Sequence, residues 1–356
     1  MQRAPLTQPA ILCHTSVRWK AAPDVQERLA QMEHSRIYGE IALIAGTGNP
    51  LLAQEISEAL DVPLTQTEVS IFANENIFVQ LQQTVRSKDV FIIQPTCSPV
   101  SHNLLELLIL IDTVKRASAG RITAVVPFFS YARSDKKDKP RVPITARLIA
   151  DMVATAGADR FMTVDLHAGQ IQGFFSIPCD EISAFPLLAH RVLAWAIPDL
   201  VVVAADLGFA KRARNFAQEL GAPVAFVEKR RLEDSTQSLT VIGDVQGMNA
   251  LIVDDEIDRG TTTAGAARIL RESGAQTVYA CFVHPTFSPG AAYLLAEARF
   301  ARLLCTDSQP IKPADRALLP DLEVIELGPW LAQVINAVHS GRSVGEILRG
   351  YLASCD

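Results

Sequence analysis

The sequence has few of the features that mark disulfide-stabilised, nucleic-acid-binding or membrane proteins. Its six cysteines form no Cys-x-x-Cys pair and are too sparse for a disulfide framework, so reduced thiols in the cytoplasm are expected. Positive charge is also in deficit, and the net charge of −6 argues against nucleic acid as the main partner, because such binding needs clustered Lys and Arg. The longest apolar run, residues 104–114, is interrupted by Glu106 and Asp112, whereas a membrane-spanning helix needs ~20 apolar residues. The sequence therefore predicts a protein that binds neither nucleic acid nor membrane.

The bulk of the sequence is typical of a folded protein. Its 356 residues are 49% hydrophobic and 20% charged, which provides ample apolar surface for packed cores, and the length favours two domains over one. The first 37 residues carry Arg3, Arg18 and Lys20 but lack the continuous apolar core of a secretory signal. We interpret residues 1–37 as an N-terminal extension of unknown role.

The chain repeats one pattern at a shift of 160 residues, which places Ile41–Val62 on Val201–Ala222 without a gap. The same shift lays the apolar run 90–93 on residues 250–253. Because the same shift aligns so long a stretch, the sequence indicates two copies of one arrangement of strands and helices.

In the first copy, short apolar strands alternate with helical segments. The predicted elements are strand Ile41–Ala45, helix Leu51–Leu60, strand Val90–Ile93, helix Leu104–Arg116 and strand Ile122–Pro127. This alternation predicts an α/β fold with parallel sheets and helices on both faces. Ligands bind such sheets at the carboxyl ends of the strands, so the loops after residues 93, 127, 164, 204, 227 and 253 are candidate sites.

Acidic residues follow the apolar strand Leu251–Val253 directly, and a helix is expected to begin near Ala264. Carboxylates there can take sugar hydroxyls or a metal, while hydroxyls, Gly260 and the N–H groups of a helix start form a cradle for an anion. A capped helix start would account for one such residue but not for several acids at a strand end. We therefore favour a binding site.

Three other polar stretches flank predicted strands. His167 stands near Asp165 just past an apolar strand, which suits a metal ligand, although a packing histidine is the common alternative. The charged run 131–141 is either a solvated loop or a binder of a polyphosphate. The segment Glu228–Arg231 contains three adjacent cations, which repel one another and therefore suggest a binding site for an anion. The alternative is a surface turn.

Together these stretches are similar to motifs of the ribose-phosphate diphosphokinase (phosphoribosyl diphosphate synthase) family. The acidic loop resembles the signature Asp-Asp-x-x-Asp-Thr-Gly-Gly-Thr, with Arg259 and Thr261 standing where the family has Thr and Gly. In the first copy Gln94 and Pro95 occupy the positions equivalent to the paired acids. The resemblance implies that only the second copy keeps the sugar site.

Five segments in the family's order carry the resemblance from about Ile41 to about Leu348. Residues 162–175 match the Asp-Leu-His region, and residues 131–135 match Tyr-Ala-Arg-Gln-Asp with Ser134 replacing Gln. Residues 228–231 resemble the mobile Lys-Arg-Arg loop, and residues 205–208 resemble Pro-Asp-x-Gly. Residues 72–77 stand where the family has Phe-Ser-Asp-Gly-Glu-Ile, with Asn74 in place of Asp.

The resemblance implies a role for each matching residue. It makes Lys229 and Arg231 catalytic, and it makes His167 and Asp206 ligands of Mg²⁺. The implied ATP-binding residues are Phe72, Asn74, Asn76, Arg133, Ser134 and Asp138. The implied ribose 5-phosphate-binding residues are Asp254, Asp255, Asp258, Arg259, Gly260, Thr261 and Thr262.

The implied fold is α/β, with two tandem phosphoribosyltransferase-like (Rossmann-like) domains of mainly parallel sheets related by duplication. We expect the ATP-side domain at 38–180 and the domain with the ribose 5-phosphate loop at 181–356, with the last helical segment as a candidate for packing back on the first. The implied reaction is the Mg²⁺-dependent transfer of the β,γ-diphosphate of ATP to ribose 5-phosphate. The implied assembly is a cytoplasmic homo-hexamer or related homo-oligomer with the ATP site shared between subunits.

Two alternatives stay open from the sequence. The first is a phosphoribosyltransferase that consumes the diphosphate sugar, against which the Asp-Leu-His and Lys-Arg-Arg segments count. The second is a catalytically silent regulatory subunit, which the altered loops at Asn74 and Arg259 favour. Four retained residues oppose it, namely Lys229, Arg231, His167 and Asp206.

Overall fold

The computed structural model describes residues 38–231 and 237–346, without the side chains of residues 229–231 and 237–238. The described residues belong to one compact unit, and the predicted extension at residues 1–37 lies outside them. Within this described part, no helix has the length and apolar character needed to cross a membrane.

The first half is built on a parallel sheet of five strands. In chain order its elements are β1 (Ile41–Ala45), α1 (Pro50–Leu60), β2 (Thr67–Ile71), β3 (Ile77–Leu81), β4 (Asp89–Ile93), α2 (Val100–Arg116), β5 (Arg121–Val126), α3 (Thr145–Ala156), β6 (Arg160–Val164) and β7 (Cys179–Ile182). The sheet has the order β1-β4-β5-β6-β7, and β2 and β3 form a separate antiparallel hairpin. The sheet ends at Ile182, just past the predicted domain boundary at residue 180.

The second half is built on a sheet of seven strands in the order β10-β9-β8-β11-β12-β13-β14, in which only β10 is antiparallel to its neighbour. Its elements are α4 (Phe185–Ala194), β8 (Leu200–Ala204), α5 (Ala210–Glu219), β9 (Val224–Arg231), β10 (Gln237–Ile242), β11 (Asn249–Glu256), α6 (Thr261–Glu272), β12 (Thr277–His284), α7 (Ala291–Glu297), β13 (Leu303–Thr306), α8 (Pro313–Leu318), β14 (Leu322–Ile325) and α9 (Gly328–Ser340).

The predicted duplication is confirmed by the order and spacing of these elements. Strand β4 begins at Asp89 and its counterpart β11 begins at Asn249, which is the shift of 160 residues found in the sequence. The hairpin β2–β3 corresponds to β9–β10, although in the first half only an isolated bridge between Leu43 and Leu64 connects this region to the main sheet. The predicted α/β class with two tandem halves and mainly parallel sheets is confirmed.

The two halves share a hydrophobic core. Alternating strand residues place one face of each sheet in this shared core, represented by Phe91 from β4 and Leu251 from β11. Helix α9, from the end of the described chain, packs back onto α1 of the first half, and its Trp330 is among the largest fully buried side chains. The opposite faces of the sheets are covered separately, by α2 and α3 in the first half and by α6 and α7 in the second. Because the middle core draws on both halves, neither half buries its own apolar surface alone.

A buried charged cluster fixes the end of α9 to the first sheet. The carboxylate of Asp89 accepts hydrogen bonds from Arg121 at 2.8 and 2.5 Å and lies 2.7 Å from Nδ1 of His339. Arg121 also donates to the carbonyl of Val338 at 3.2 Å. A buried carboxylate is costly unless its oxygens are paired, and here both are.

The structure corrects two expectations about the acidic loop. Strand β11 continues to Glu256 instead of ending at Val253, because its pairing with β12 extends to Glu256 opposite His284. Asp254 and Asp255 therefore lie in the strand. Helix α6 begins at Thr261 rather than near Ala264, directly after Gly260, whose φ of 74° ends the preceding turn.

A second buried carboxyl, Asp307, lies where α1, β13 and the start of α9 meet. It accepts a hydrogen bond from the N–H of Leu327 at 2.8 Å. Burial, together with the charge of Glu55, raises the pKa of Asp307 from 3.8 to about 8. A raised pKa favours the protonated form in the folded state, so its contribution to stability is fully present below pH 3.8 and is lost as the pH rises through about 8.

Asp307→Asn should therefore flatten the pH dependence of unfolding. The amide oxygen can still accept from Leu327 but cannot ionise, so we expect the melting temperature of the variant to exceed that of the wild type at about pH 8 to 9 and to differ little at about pH 4. Calorimetry across this range measures the effect, with exposed Asp321→Asn as the control. If the melting temperature of Asp307→Asn depends on pH as that of the wild type does, the raised pKa of Asp307 is contradicted.

Candidate active site

The carboxyl ends of the two sheets meet at His284, the last residue of β12. Its Nε2 lies 3.2 Å from the carbonyl oxygen of Val164 and 3.0 Å from that of Asp165, at the end of β6. Its Nδ1 lies 2.9 Å from the hydroxyl of Ser308. Burial lowers the pKa of His284, so the ring is neutral, with Nε2–H donating to the carbonyls and Nδ1 accepting from Ser308. This contact holds the first-half loop that follows β6 against the second half.

Two cavities lie at this junction. The first has a volume of about 370 Å³ and is lined from both halves, by residues 128–133 and 164–167 of the first and by residues 255, 256, 284 and 286–289 of the second. The second cavity, also about 370 Å³, is lined by residue 254 and residues 256–263 together with Arg133. Arg133, Glu256 and Asp258 line both cavities, so they form the wall between them.

His167 and Asp255 form an ion pair across the two halves. Nδ1 of His167 lies 2.8 Å from Oδ2 of Asp255, and the imidazole is partly exposed to the first cavity while the carboxylate is buried. The hydrogen bond to Asp255 raises the pKa of His167. Burial would raise the pKa of Asp255, but the hydrogen bond and charge of His167 outweigh it and lower the pKa to about 2.

Asp254 differs from its neighbour although both are near the end of β11. Side chains alternate along a strand, and Asp254 lines the second cavity whereas Asp255 lines the first. Burial and the nearby charge of Asp255 raise the pKa of Asp254 well above its ordinary value. The strand end therefore presents one carboxyl group to each cavity, and the pKa values of the two groups are shifted in opposite directions.

The second cavity contains the predicted anion cradle. Gly260 precedes α6 in the left-handed region, and the first turn of α6 begins with Thr261 and Thr262, both exposed. The N–H groups of a first helical turn have no partner within the helix, and together with the helix dipole they favour an anion. The hydroxyl of Ser288 donates to Oδ1 of Asp258, and the N–H of Ser288 donates to its carbonyl at 2.9 Å. Arg259 is exposed at the mouth and, among the described residues, makes no hydrogen bond or ion pair.

Of the predicted ATP-binding residues, Arg133 is the one that lines these cavities. Its Nε lies 3.0 Å from Oε2 of Glu256, and its Nη1 lies 3.5 Å from Oδ2 of Asp258. Ser134 faces the start of α3 instead, where its hydroxyl accepts from the N–H of Thr145 at 3.3 Å. Asp138 is exposed in the loop before α3.

Phe72, Asn74 and Asn76 lie at the turn of the β2–β3 hairpin, and none of them lines either cavity. Phe72 stacks on Phe78 with ring centroids 5.5 Å apart, and Asn74 accepts from the N–H of Asn76 at 3.3 Å. Phe72 is 52% exposed and Phe78 is 40% exposed, so the hairpin presents an aromatic pair to its surroundings. The structure does not bring these residues together with the cavity-lining residues.

Lys229 and Arg231 lie within β9 rather than beyond its end, because the strand pairs with β10 through Arg231 opposite Gln237. The side chains of both residues lie outside the described part of the structure, as do residues 232–236. Their catalytic role stays a prediction.

Asp206 follows β8, the neighbour of β11 in the sheet, but it lines neither cavity. Its carboxylate accepts from the N–H of Gly208 at 2.5 Å, which leaves its second oxygen as a candidate ligand. Among the described residues there is no group of three or more His, Cys, Asp and Glu side chains that could hold a metal ion. Mg²⁺ commonly uses one or two carboxylates with waters and substrate phosphates, so separate donors such as Asp206 and His167 fit an ion that arrives with a polyphosphate.

Several functional positions were not assigned from the sequence. Glu256 lies in the wall between the cavities, Thr286 hydrogen bonds to it at 2.7 Å, and Gln309 hydrogen bonds to Thr286 at 2.8 Å. Glu256 had a signal, since it is the third consecutive acid at the strand end. Thr286, Gln309 and His284 had none, because only the fold brings the loops after β12 and β13 to this site.

The chain is similar to known proteins over most of its length. Residues 41–157 match the profile of the N-terminal domain of ribose phosphate pyrophosphokinase, and residues 231–349 match that of the phosphoribosyl synthetase-associated domain. A ribose-phosphate pyrophosphokinase of Prochlorococcus marinus (strain MIT 9313) is 44% identical over 313 residues, covering 87% of this chain and 94% of the relative. That of Thermosipho africanus is 43% identical over 314 residues, covering 87% and 98%. The crystal structure of phosphoribosylpyrophosphate synthetase from Mycobacterium smegmatis, 42% identical, superposes with a TM-score of 0.81 over 85% of this chain and 99% of that one.

The anion cradle should depend on glycine at position 260. A Cβ there would lie 3.2 Å from the carbonyl oxygen of Ala291, in a backbone conformation that already disfavours a side chain. Gly290 is the matched control, since its φ is 91° and a Cβ would meet nothing within 4 Å. We expect Gly290→Ala to lower the free energy of unfolding by about 1–2 kcal/mol and Gly260→Ala to lower it further. Urea unfolding measures both, and equal losses would show that the cradle is not tightly packed.

Proposed function

The chain is an enzyme of the ribose-phosphate pyrophosphokinase family, and on that premise we propose that it transfers the β,γ-diphosphate of ATP to the C1 hydroxyl of ribose 5-phosphate. The products are 5-phosphoribosyl 1-diphosphate, a precursor of nucleotides, and AMP. The observation that supports this proposal most is the shared wall between the two cavities. One cavity offers the cationic Arg133 and the partly exposed His167, and the other offers an anion cradle beside acidic side chains.

Ribose 5-phosphate fits the second cavity. Its 5-phosphate lies on the cradle formed by residues 258–262, and its ring hydroxyls lie near Asp254, whereas the neighbouring Asp255 lines the first cavity. ATP enters the first cavity, with its phosphates toward Arg133 and His167. The C1 oxygen then lies beside Arg133, Glu256 and Asp258, the side chains that border both cavities, where it meets the phosphates of ATP.

The reaction is an in-line displacement at the β-phosphorus. A bond forms between the C1 oxygen and that phosphorus, the bond from the phosphorus to the α,β-bridging oxygen breaks, AMP leaves with the bridging oxygen, and the C1 hydroxyl loses its proton. Transfers of this kind need positioning and charge stabilisation more than covalent catalysis. Arg133 orients the phosphates, and Lys229 and Arg231 stabilise the charge that develops. Mg²⁺, held by His167 and Asp206, would neutralise phosphate charge and orient the oxygens.

The proposal extends to assembly and location. The exposed aromatic pair on the β2–β3 hairpin supports an ATP site completed by a neighbouring subunit, in a homo-hexamer or related homo-oligomer. Exposed aromatic rings at the tip of a hairpin are well suited to stacking on a nucleobase. We assign the enzyme to the cytoplasm because its cysteines form no framework.

Incubation of the purified enzyme with Mg·ATP and ribose 5-phosphate tests the proposed reaction. We expect AMP and 5-phosphoribosyl 1-diphosphate in equal amounts, with no AMP when ribose 5-phosphate is left out. Release of diphosphate from 5-phosphoribosyl 1-diphosphate and a nucleobase, without AMP, would identify a phosphoribosyltransferase. Binding of both substrates without turnover would identify a silent regulatory subunit.

Arg259 should contact the 5-phosphate. It is exposed at the mouth of the second cavity and engages none of the described residues, so its guanidinium is available to the ligand. We expect Arg259→Ala to raise the KM for ribose 5-phosphate about tenfold, which is within the ~1.5–3 kcal/mol of a hydrogen bond to a charged group. The KM for ATP should stay nearly fixed.

Two variants sharpen this assignment of Arg259. Arg259→Thr should recover part of the loss through its hydroxyl. Arg268→Ala is the control, because Arg268 pairs with Glu272 at the surface of α6, the helix that follows Arg259. An unaltered KM for ribose 5-phosphate in Arg259→Ala would remove Arg259 from the site. A faster turnover would mean that Arg259 restrains the enzyme.

A further inference from the structure

A directed chain of hydrogen bonds ends at Arg133 in the wall between the cavities. The amide of Gln309 donates to Oγ1 of Thr286 at 2.8 Å, and the hydroxyl of Thr286 donates to Oε1 of Glu256 at 2.7 Å. The second oxygen of Glu256, Oε2, lies 3.0 Å from Nε of Arg133. Because each oxygen of the carboxylate has its own partner, the orientation of Glu256 is fixed.

The two members of the Glu256–Arg133 pair differ in how firmly they are held. The side chain of Glu256 is 12% exposed, whereas that of Arg133 is 47% exposed. Arg133 comes from a loop of the first half, and its other acidic partner, Asp258, lies at 3.5 Å. Glu256 is therefore the better anchored partner, and Arg133 is the one that would move if the contact were lost.

We propose that Glu256 is a positioning residue that holds the guanidinium of Arg133 between the two cavities through the chain Gln309–Thr286–Glu256. This inference rests on the proposed function, since the ligand to which Arg133 is presented is the polyphosphate of ATP. Glu256 lies in the wall between the cavities, and its proposed role is exerted through Arg133.

The alternative role for Glu256 is competition, in which its carboxylate and the phosphates of ATP bind the same guanidinium of Arg133. The geometry favours positioning, because a guanidinium has five N–H donors and Glu256 takes only the Nε edge. Of the terminal NH₂ groups, Nη1 has Asp258 as a neighbour at 3.5 Å, and the remaining N–H donors can bind phosphate oxygens. The contact also fixes the long side chain before the ligand arrives, which lowers the entropy cost of ordering it on binding.

The sign of the change in KM for ATP separates these two roles of Glu256. If Glu256 positions Arg133, Glu256→Ala should raise the KM for Mg·ATP about tenfold and leave the KM for ribose 5-phosphate within about twofold. Glu256→Gln should recover much of the loss, because its side-chain oxygen still accepts from Arg133. If Glu256 competes with phosphate, Glu256→Ala should lower the KM for Mg·ATP. A lowered or unchanged value overturns the proposal.

Thr286 gives an independent route to the same result if Glu256→Ala fails to fold. Thr286→Val removes the hydroxyl that orients Glu256 with little change in volume, so it should raise the KM for Mg·ATP, and Thr286→Ser should restore it. When Glu256→Ala does fold, Thr286→Val in that background should have no further effect, because the effects of residues in one network are not additive. Additive effects on the KM for Mg·ATP would show that Thr286 does not act through Glu256.

The control is Asp151→Ala. Asp151 pairs with Arg147 at 2.9 Å at the surface of α3 and lines neither cavity, so its removal should leave both KM values unchanged.

Direct binding separates failure of this inference from failure of the proposed function. If the wild type forms no AMP, the proposed function is wrong, and the positioning role is then decided by calorimetric titration with Mg·ATP. Glu256→Ala must weaken the Kd about tenfold and Glu256→Gln must weaken it less. Equal affinities in all three proteins, or no binding of Mg·ATP to the wild type, overturn the positioning role.

Discussion

The site depends on one contact between the halves, the hydrogen bonds from His284 to the carbonyl oxygens of Val164 and Asp165. These oxygens end β6 in the first sheet, and His284 ends β12 in the second. A charged imidazole buried here would carry a large desolvation cost, whereas a neutral ring satisfies both nitrogens, with Ser308 as the partner of Nδ1. The shared core beneath this contact holds the two sheets at a fixed separation, so the loop with His167 and the acidic end of β11 face each other.

Two acids at the junction are each paired with a side chain from the other half. Asp255 pairs with His167, and Glu256 pairs with Arg133. A buried charge is costly when unpaired, so removing one partner usually destabilises the folded state by more than the intact pair stabilises it. The halves are therefore joined by contacts that also set the shape of the cavities. The duplicated fold has one acidic strand end, because in the first half Gln94 occupies the equivalent position. Its buried Oε1 accepts from the N–H of Gly48 at 2.9 Å, and its Nε2 donates to the carbonyl oxygen of Asn103 at 3.2 Å.

Much of the fold was predictable because the pattern was strong. The strand at residues 41–45 and the helix near residues 51–60 were located from apolar spacing alone, and the shift of 160 residues predicted the second half from the first. The end of β11 was not predictable, because Asp254 and Asp255 read as loop residues until their pairing with β12 is known. Arg133 was predicted to lie at the site, but its pairing with Glu256 was not, since a contact between a loop of the first half and the end of β11 leaves no local pattern. Ser134 and Asp138 were named by resemblance, and the structure gives them a loop contact and an exposed position.

The contact between the halves is tested most directly by the nitrogen-15 resonances of His284 in selectively labelled protein, assigned by comparison with His284→Gln. The structure predicts a neutral ring with the proton on Nε2 that stays neutral as the pH falls below the ordinary histidine pKa of 6.5, because burial lowers the pKa of His284. A ring that carries its proton on Nδ1, or one that is an imidazolium at neutral pH, would contradict the hydrogen bonds to Val164 and Asp165 and with them the arrangement of the site.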